Sequence, residues 1–258
     1  MGLPSDLPAS SHQTIRSGSL WMTEDNKSKE VKLALLVDAE NVRIDFLPII
    51  MGEASALGAI TVRRLYGDLL RENMKAWHSL VHTHALTPVH VPARAKGKNA
   101  ADMKLAIDAI DLLHQKRLDG FCIASSDSDF TALANRIRED GVKVYGFGEK
   151  KVTVPYVAAC DRFFYCDLLL ENLSSEPVGA KKMKLPTNEI LAAVDDATAE
   201  DGWALLGSVG SVLSKRQPDF DPRNYKFKKL SDLVGSIADL TVESVSIGNG
   251  TVVKVRRR

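Results

Sequence analysis

Short apolar runs alternate with segments of helical spacing along the first two thirds of the chain. The apolar runs predict strands at 32–37, 59–66, 87–91, 120–125, 143–147 and 162–166. The segments between them predict helices at 45–56, 75–84, 100–114, 129–139 and 154–159. Because strands that alternate with helices form parallel sheets, we predict the α/β class: a mainly parallel sheet with helices on both faces.

The pattern divides the chain into four segments. Residues 1–30 are rich in Ser, Pro, Gly and polar residues, which is typical of a disordered tail. The α/β pattern fills 31–172, and 173–184 mixes Ser, Pro, Gly and Lys, which predicts a linker. The rest, 185–258, predicts a small α+β domain.

Within this last segment, helices are predicted at 188–200, 205–215 and 230–237, with Thr187 as the first N-cap. A hairpin is predicted at 241–247 and 251–255. Aromatic side chains in so small a domain favour core positions, and we assign Trp203, Phe220 and Phe227 to its core.

Aspartates follow two of the predicted strands and begin one helix. Asp38 ends the first strand, Asp127 and Asp129 follow the fourth, and Asp102 lies in the first turn of the helix after the third. The carboxyl ends of parallel strands meet at one edge of a sheet. Clustered carboxylates raise each other's pKa, and Mg²⁺ or Mn²⁺ relieves that repulsion. Asp108, further along the helix, is assigned to solvent.

Each aspartate also has a structural alternative. Asp38, Asp127 or Asp129 alone suits a helix cap as well as a ligand, and Asp102 suits the helix dipole. Four acids at strand ends together favour the metal site.

Basic residues lie near the site and in the second domain. The loop before the helix of Asp102 carries Arg94, Lys96 and Lys98, which favours contact with phosphates. In the second domain, basic residues are interleaved with aromatic rings, a pattern found in RNA-binding surfaces. These residues are Lys215, Arg216, Arg223, Lys226, Lys228 and Lys229.

Composition fits a globular protein, with 45% hydrophobic and 26% charged residues and a net charge of +1. Because no long apolar segment or signal peptide is present, we predict a cytoplasmic location without membrane contact.

The three cysteines, Cys122, Cys160 and Cys166, are predicted to be reduced core residues. A zinc site at Cys160 and Cys166, or a metal site at His78 and His82, lacks further ligands at useful spacing.

Three separated motifs resemble one family. LLVDAENV, KNAADMKLAIDAIDLL and ASSDSDFTALANRIREDGVKVYGFG are similar to the NYN domain of the PIN-like nucleases, over about 32–170. The resemblance implies a parallel sheet, a metal-binding aspartate cluster and nuclease activity on RNA. It assigns metal binding and catalysis to Asp38, Asp102, Asp127 and Asp129. It also implies that Asn41 takes part in catalysis by orienting a ligand or phosphate, and that Ser126 and Ser128 bond phosphate or the groups that orient the metal ligands.

The second domain resembles another family. GWALLGSVGSVLSKRQPDFDPRNYKFKKLSDLVGSI is similar to the OST-HTH or LOTUS domain, over about 185–255. This module implies RNA binding and, in some members, a protein partner. An NYN domain followed by it is a recurring bacterial arrangement.

We therefore predict a metal-dependent ribonuclease that acts on single-stranded or structured RNA and uses its second domain for affinity. The alternative is an RNA-binding or adaptor protein with a vestigial acidic site. An aspartyl phosphatase has the spacing of Asp38 and Glu40 in its favour, but the rest of that pattern is missing. The sequence favours no particular oligomeric state.

Overall fold

A parallel six-stranded sheet, in the order β3-β2-β1-β4-β5-β6, forms the first part of the computed structural model. The structure describes residues 30–92, 99–174, 185–247 and 250–258. The strands are β1 (Lys32–Asp38), β2 (Ala59–Gly67), β3 (Thr87–His90), β4 (Gly120–Ala124), β5 (Lys143–Gly148) and β6 (Arg162–Tyr165). The predicted parallel sheet is confirmed.

Helices cover both faces of this sheet. One layer contains α1 (Leu47–Leu57), α2 (Lys75–Thr83) and α6 (Cys166–Ser174). The other contains α3 (Ala100–His114), α4 (Thr131–Glu139) and α5 (Val154–Ala159). Side chains of β1 alternate between these layers, because successive residues of a strand point to opposite faces. Leu35 and Val37 pack in the first layer, and Ala34 and Leu36 in the second.

The second domain has a three-stranded antiparallel sheet in the order β7-β9-β8. Its elements are α7 (Thr187–Ala197), β7 (Ala204–Leu205), α8 (Leu206–Arg216), α9 (Leu230–Gly235), β8 (Leu240–Ile247) and β9 (Gly250–Arg257). A separate core, which includes Val194, Leu213 and Val255, holds them together. Among the described residues, no helix is long and apolar enough to cross a membrane.

Several boundaries differ from the predictions. Short 3₁₀ turns at Ile44–Phe46 and Ser128–Phe130 precede α1 and α4, so both helices begin later than predicted. The helix α6 was not predicted, and it follows β6 directly. Thr187 is the first residue of α7, and Pro186 occupies the N-cap position.

Two side chains lie in environments that the sequence did not indicate. Trp203 is only partly buried and lies outside the core, and the guanidinium of Arg256 lies 4.5 Å from its ring centroid. Asp108 is buried rather than solvated, because Lys104, Arg64 and the hydroxyl of Tyr66 bond its carboxylate. Phe220 is in the core as predicted, and Phe227 packs against it half-buried. The three cysteines are free and buried, which confirms their core assignment.

Candidate active site

Asp38 lies where the sheet order changes direction. The chain continues from β1 to β2 on one side of it, and later places β4 on the other side. Such a position is the switch point of a parallel sheet, where ligands typically bind. Its side chain follows Leu36 and faces the layer of α3, α4 and α5. The residue is 1% exposed.

Four hydrogen bonds hold the Asp38 carboxylate. Oδ1 accepts from the backbone N–H groups of Glu40, at 3.0 Å, and Asn41, at 3.2 Å. Oδ2 accepts from Asn41 Nδ2 and from Ser125 Oγ, both at 2.8 Å. Burial raises the pKa of Asp38, and these bonds lower it by a smaller amount. The sequence therefore supplies a carboxylate with a fixed orientation at the end of β1.

Asp127 and Asp129 are ordered by the turn after β4. The backbone N–H of Asp127 donates to Ser125 Oγ at 3.1 Å, so Ser125 links this turn to Asp38. Asp127 Oδ1 accepts from the backbone N–H of Asp129 at 2.9 Å and caps the 3₁₀ turn. Asn99, just before α3, donates to Asp129 Oδ2 at 3.0 Å. The capping alternative is thus realised for Asp127, and the cap also fixes the carboxylate beside the end of β1.

Asp102, in the first turn of α3, shares the electrostatic environment of the other acids. Its pKa is raised to about 6, first by burial and then by the negative charges of Asp38, Asp127, Glu40 and Asp129. Glu40 was not among the predicted site residues. In the sequence, its position two residues after Asp38 favoured only the phosphatase alternative.

The donor chemistry of this aspartate cluster, which we define as Asp38, Asp102, Asp127 and Asp129, fits a hard divalent cation. All its potential ligand atoms are carboxylate oxygens, which Mg²⁺ and Mn²⁺ prefer. The negative charges of the other acids add to burial in raising the pKa of Asp102. Within the described residues, no three acidic, histidine or cysteine side chains are arranged to hold an ion as they stand. Binding would therefore require these side chains to move.

A cavity of about 420 Å³ opens beside the aspartate cluster. Asn41, Ser126, Asp127 and Ser128 line it, and Glu40, Val42, Arg43, Glu149 and Lys151 complete its wall. Ser126 Oγ accepts from the backbone N–H of Glu149 at 3.0 Å, which leaves its hydroxyl hydrogen available to an oxygen in the cavity. Arg43 and Lys151 were missed by the sequence analysis, although Arg43 follows the DAENV motif directly.

The predicted basic RNA contacts have different surroundings. Lys215, Lys228 and Lys229 are exposed, and Arg216, also exposed, pairs with Asp196. Arg94, Lys96 and Lys98 lie outside the described residues.

Arg223 and Lys226 face the first domain. Arg223 bonds both oxygens of Glu53 on α1, at 2.5 and 3.0 Å, and both oxygens of Asp221, at 3.0 and 2.8 Å. Lys226 donates to Asn172 Oδ1 at 2.9 Å. Their charges therefore serve contacts within the chain, although Lys226 is itself exposed, and the basic pattern alone did not distinguish them from the other basic residues.

The loop that carries Arg223 docks against β6. The backbone N–H of Phe163 donates to the carbonyl of Pro218 at 2.8 Å, and the hydroxyl of Tyr165 donates to Asp219 at 2.9 Å. Arg162 also pairs with Asp221 at 3.2 Å. The edge of the large sheet is thus covered by the second domain.

The charge on Asp102 predicts how stability depends on pH. Its pKa of about 6 in the folded protein lies above 3.8, so the folded state binds this proton more tightly than the unfolded state. The contribution of Asp102 to stability is therefore fully present below pH 3.8 and lost as pH rises through 6, so part of it is regained as pH falls from 7 to 5. When the pH is lowered from 7 to 5, we expect the melting temperature of a metal-free Asp102→Asn variant to rise less than that of the native protein. An Asp111→Asn variant on the same helix should keep the native slope; equal slopes in all three proteins would contradict the prediction.

Two family models match the chain. The NYN domain matches residues 32–171, and the OST-HTH/LOTUS domain matches residues 181–252. This is the order that the motifs predicted. A search of curated proteins gave no match.

Three solved structures are similar to parts of the chain. A protein of unknown function from Vibrio parahaemolyticus has 20% identity, covers 54% of this chain and 94% of its own, and gives a TM-score of 0.45. An uncharacterised protein from Nitrosomonas europaea has 36% identity over 33% of this chain and 89% of its own, with a TM-score of 0.27. A Chromobacterium violaceum protein has 33% identity over 30% of this chain and 85% of its own, with a TM-score of 0.26. At these TM-scores the three likenesses carry no functional argument.

Proposed function

Since this chain belongs to the NYN family of the PIN-like nuclease superfamily and continues into an OST-HTH/LOTUS module, we propose that it is a ribonuclease. It hydrolyses RNA phosphodiesters at the aspartate cluster with Mg²⁺ or Mn²⁺. The observation that carries the proposal is the position of the acids: Asp38 ends β1 at the switch point of the sheet, and Ser125 bonds both its carboxylate and the turn that carries Asp127 and Asp129.

The four aspartates together hold the cation in this proposal. When bound, the ion neutralises the carboxylates, polarises the phosphodiester and lowers the pKa of an attacking water. Asn41 and Ser125 keep the Asp38 carboxylate in one orientation. Residues that orient metal ligands typically change affinity or activity by about 10–100-fold when they are removed.

The cavity beside Asp127 accommodates the RNA chain next to the scissile phosphate. Ser126 and Ser128 offer hydroxyls there, and two basic residues lie at its rim: Arg43, which pairs with Asp45, and Lys151, which pairs with Glu149. We place phosphate contacts of the second domain at Lys215, Arg216, Lys228 and Lys229, which are exposed. Arg94, Lys96 and Lys98 remain proposed contacts from the sequence. Arg223 and Lys226 are not proposed as RNA contacts, since their partners are in the first domain.

One observation favours a second candidate, an RNA-binding protein without catalysis. The acids of the described residues do not converge on a common point that could hold an ion. A direct assay separates the two candidates.

The test is cleavage of labelled single-stranded RNA and DNA with Mn²⁺ by the native protein, an Asp127→Asn variant and an Asp111→Asn control. We expect RNA cleavage by the native protein and the control, and a loss of at least about a hundredfold in the Asp127→Asn variant, because one fixed charge at a reacting phosphate is worth roughly that much. Asp111 is an exposed acid on α3 and controls for charge. Equal cleavage by all three proteins contradicts the site, and binding without any cleavage supports the second candidate.

A further inference from the structure

The hydroxyl of Tyr156 is a buried polar group without a hydrogen-bond partner among the described residues. The whole side chain is fully buried. Such a group is costly to leave unpaired in a folded protein, and unpaired groups of this kind are rare in native structures. The position of this hydroxyl in the fold indicates which partner it serves.

Tyr156 belongs to α5, which packs against the 3₁₀ turn Ser128–Phe130 that follows Asp127. Its ring packs edge-to-face on Phe163, at 5.7 Å between centroids, in the layer that also contains Leu36. Asp38 points into this same layer, because it follows Leu36 by two positions on β1. The ring therefore lies on the face of the sheet that Asp38 also faces, and its helix contacts the turn that follows Asp127.

Electrostatics agrees with this placement. The pKa of Tyr156 is raised well above its usual value, first by burial and then by the charges of Cys160, Asp38 and Asp127. A phenol with such a pKa keeps its proton at working pH and can act only as a donor toward carboxylates. Both nearby aspartates are acceptors.

We propose that Tyr156 is a positioning residue of the aspartate cluster. Its hydroxyl donates a hydrogen bond to the carboxylate of Asp38 or Asp127, directly or through one water, once a divalent cation and RNA are bound. This inference rests on the proposed function. Among the described residues the hydroxyl has no hydrogen-bond partner, and a carboxylate of the cluster, or a water that it holds, would supply one.

The test compares the native protein with Tyr156→Phe, which removes only the hydroxyl, and with Tyr145→Phe as a matched control. Tyr145 is a half-buried tyrosine of β5 that packs against the opposite layer. Three quantities are measured for each protein: Mn²⁺ affinity by calorimetry, kcat and KM for RNA cleavage, and the melting temperature without metal.

In Tyr156→Phe we expect Mn²⁺ affinity to fall at least threefold and kcat at least tenfold, with KM little changed. The metal-free melting temperature should be unchanged or higher, since an unpaired hydroxyl has been removed. The Tyr145→Phe control should match the native protein in all three.

Two results overturn the inference in a native protein that binds Mn²⁺ and cleaves RNA. Affinity and kcat within twofold of native in Tyr156→Phe mean that the hydroxyl serves no partner at the site. A lower metal-free melting temperature means that the hydroxyl has a structural partner instead. A native protein that neither binds Mn²⁺ nor cleaves RNA overturns the proposed function itself, and the inference with it.

Discussion

Replacement of Asp38 by asparagine is expected to lower RNA cleavage by about a thousandfold, the upper end of what one fixed electrostatic group typically contributes to a reaction. Asp38 is the acid whose orientation is most completely determined, with four hydrogen bonds to its two oxygens. An amide has one oxygen and no charge, so it cannot serve as a carboxylate ligand. The measurement is single-turnover cleavage of labelled RNA with saturating Mn²⁺.

The same substitution should leave the fold nearly unchanged. The asparagine oxygen can accept the two backbone N–H bonds, while Asn41 can rotate its amide and Ser125 its hydroxyl to accept from the new NH₂ group. Removing a buried carboxylate whose pKa is raised also offsets part of any lost hydrogen bonding. We therefore expect the free energy of unfolding to change by less than about 1 kcal/mol.

An Asp38→Ala variant provides the contrast. It leaves Asn41, Ser125 and two backbone N–H groups without their buried acceptor, at a cost of about 2–4 kcal/mol in unfolding free energy. Urea denaturation of both variants separates a lost reaction from a lost fold. Retained cleavage in a folded Asp38→Asn protein would show that the reaction does not depend on this carboxylate.

The sheet could be predicted because its central strands are buried on both faces. Leu33 and Val37 delimit a run of fully buried side chains in β1, and such a run has few alternatives to a parallel strand. The approach of Asp38 to the turn after β4 followed from the same argument, since Val37 pairs with Ala124. Local pattern and position in the sheet thus indicated the centre of the site.

The parts that could not be predicted depend on contacts between distant residues. Nothing in the spacing around Arg223 indicates that Glu53, 170 positions earlier, is its partner. Asp108, on helix α3, looked like a solvated charge, because its partners Arg64 and Tyr66 come from strand β2, about forty positions earlier in the chain. Trp203 resembled a core residue by type alone, and only the fold shows Arg256 above its ring.

Replacing Arg223 with alanine is expected to lower the free energy of unfolding by about 2 kcal/mol. Breaking a buried ion pair by removing one partner typically costs about 3–5 kcal/mol, and solvent screening reduces this because the Arg223 side chain is 32% exposed. Asp221, whose carboxylate is 10% exposed, would keep only Arg162 as a cation. Glu53 would lose both of its bonds to Arg223.

An Arg216→Ala variant is the matched control. Arg216 also belongs to the second domain and pairs with an acid, but both partners are about half exposed, at 52% and 46%. An exposed pair of this kind contributes about 0–1 kcal/mol. Urea denaturation of both variants, together with a Glu53→Gln/Arg223→Ala double-mutant cycle, measures how strongly the two domains are coupled.

The docked loop also predicts a functional consequence. Because the contacts of Arg223, Arg162 and Tyr165 hold the second domain against the edge of the sheet, they fix its basic surface relative to the aspartate cluster. In Arg223→Ala we expect KM for RNA to rise several-fold while kcat stays near the native value, since no aspartate of the cluster is altered. An unchanged KM together with an unfolding free energy within 0.5 kcal/mol of native (about the limit for substitutions away from any structural feature) would show that the ion pairs do not hold the domains together in solution. A fall in kcat instead would show that these contacts between the domains affect the aspartate cluster itself.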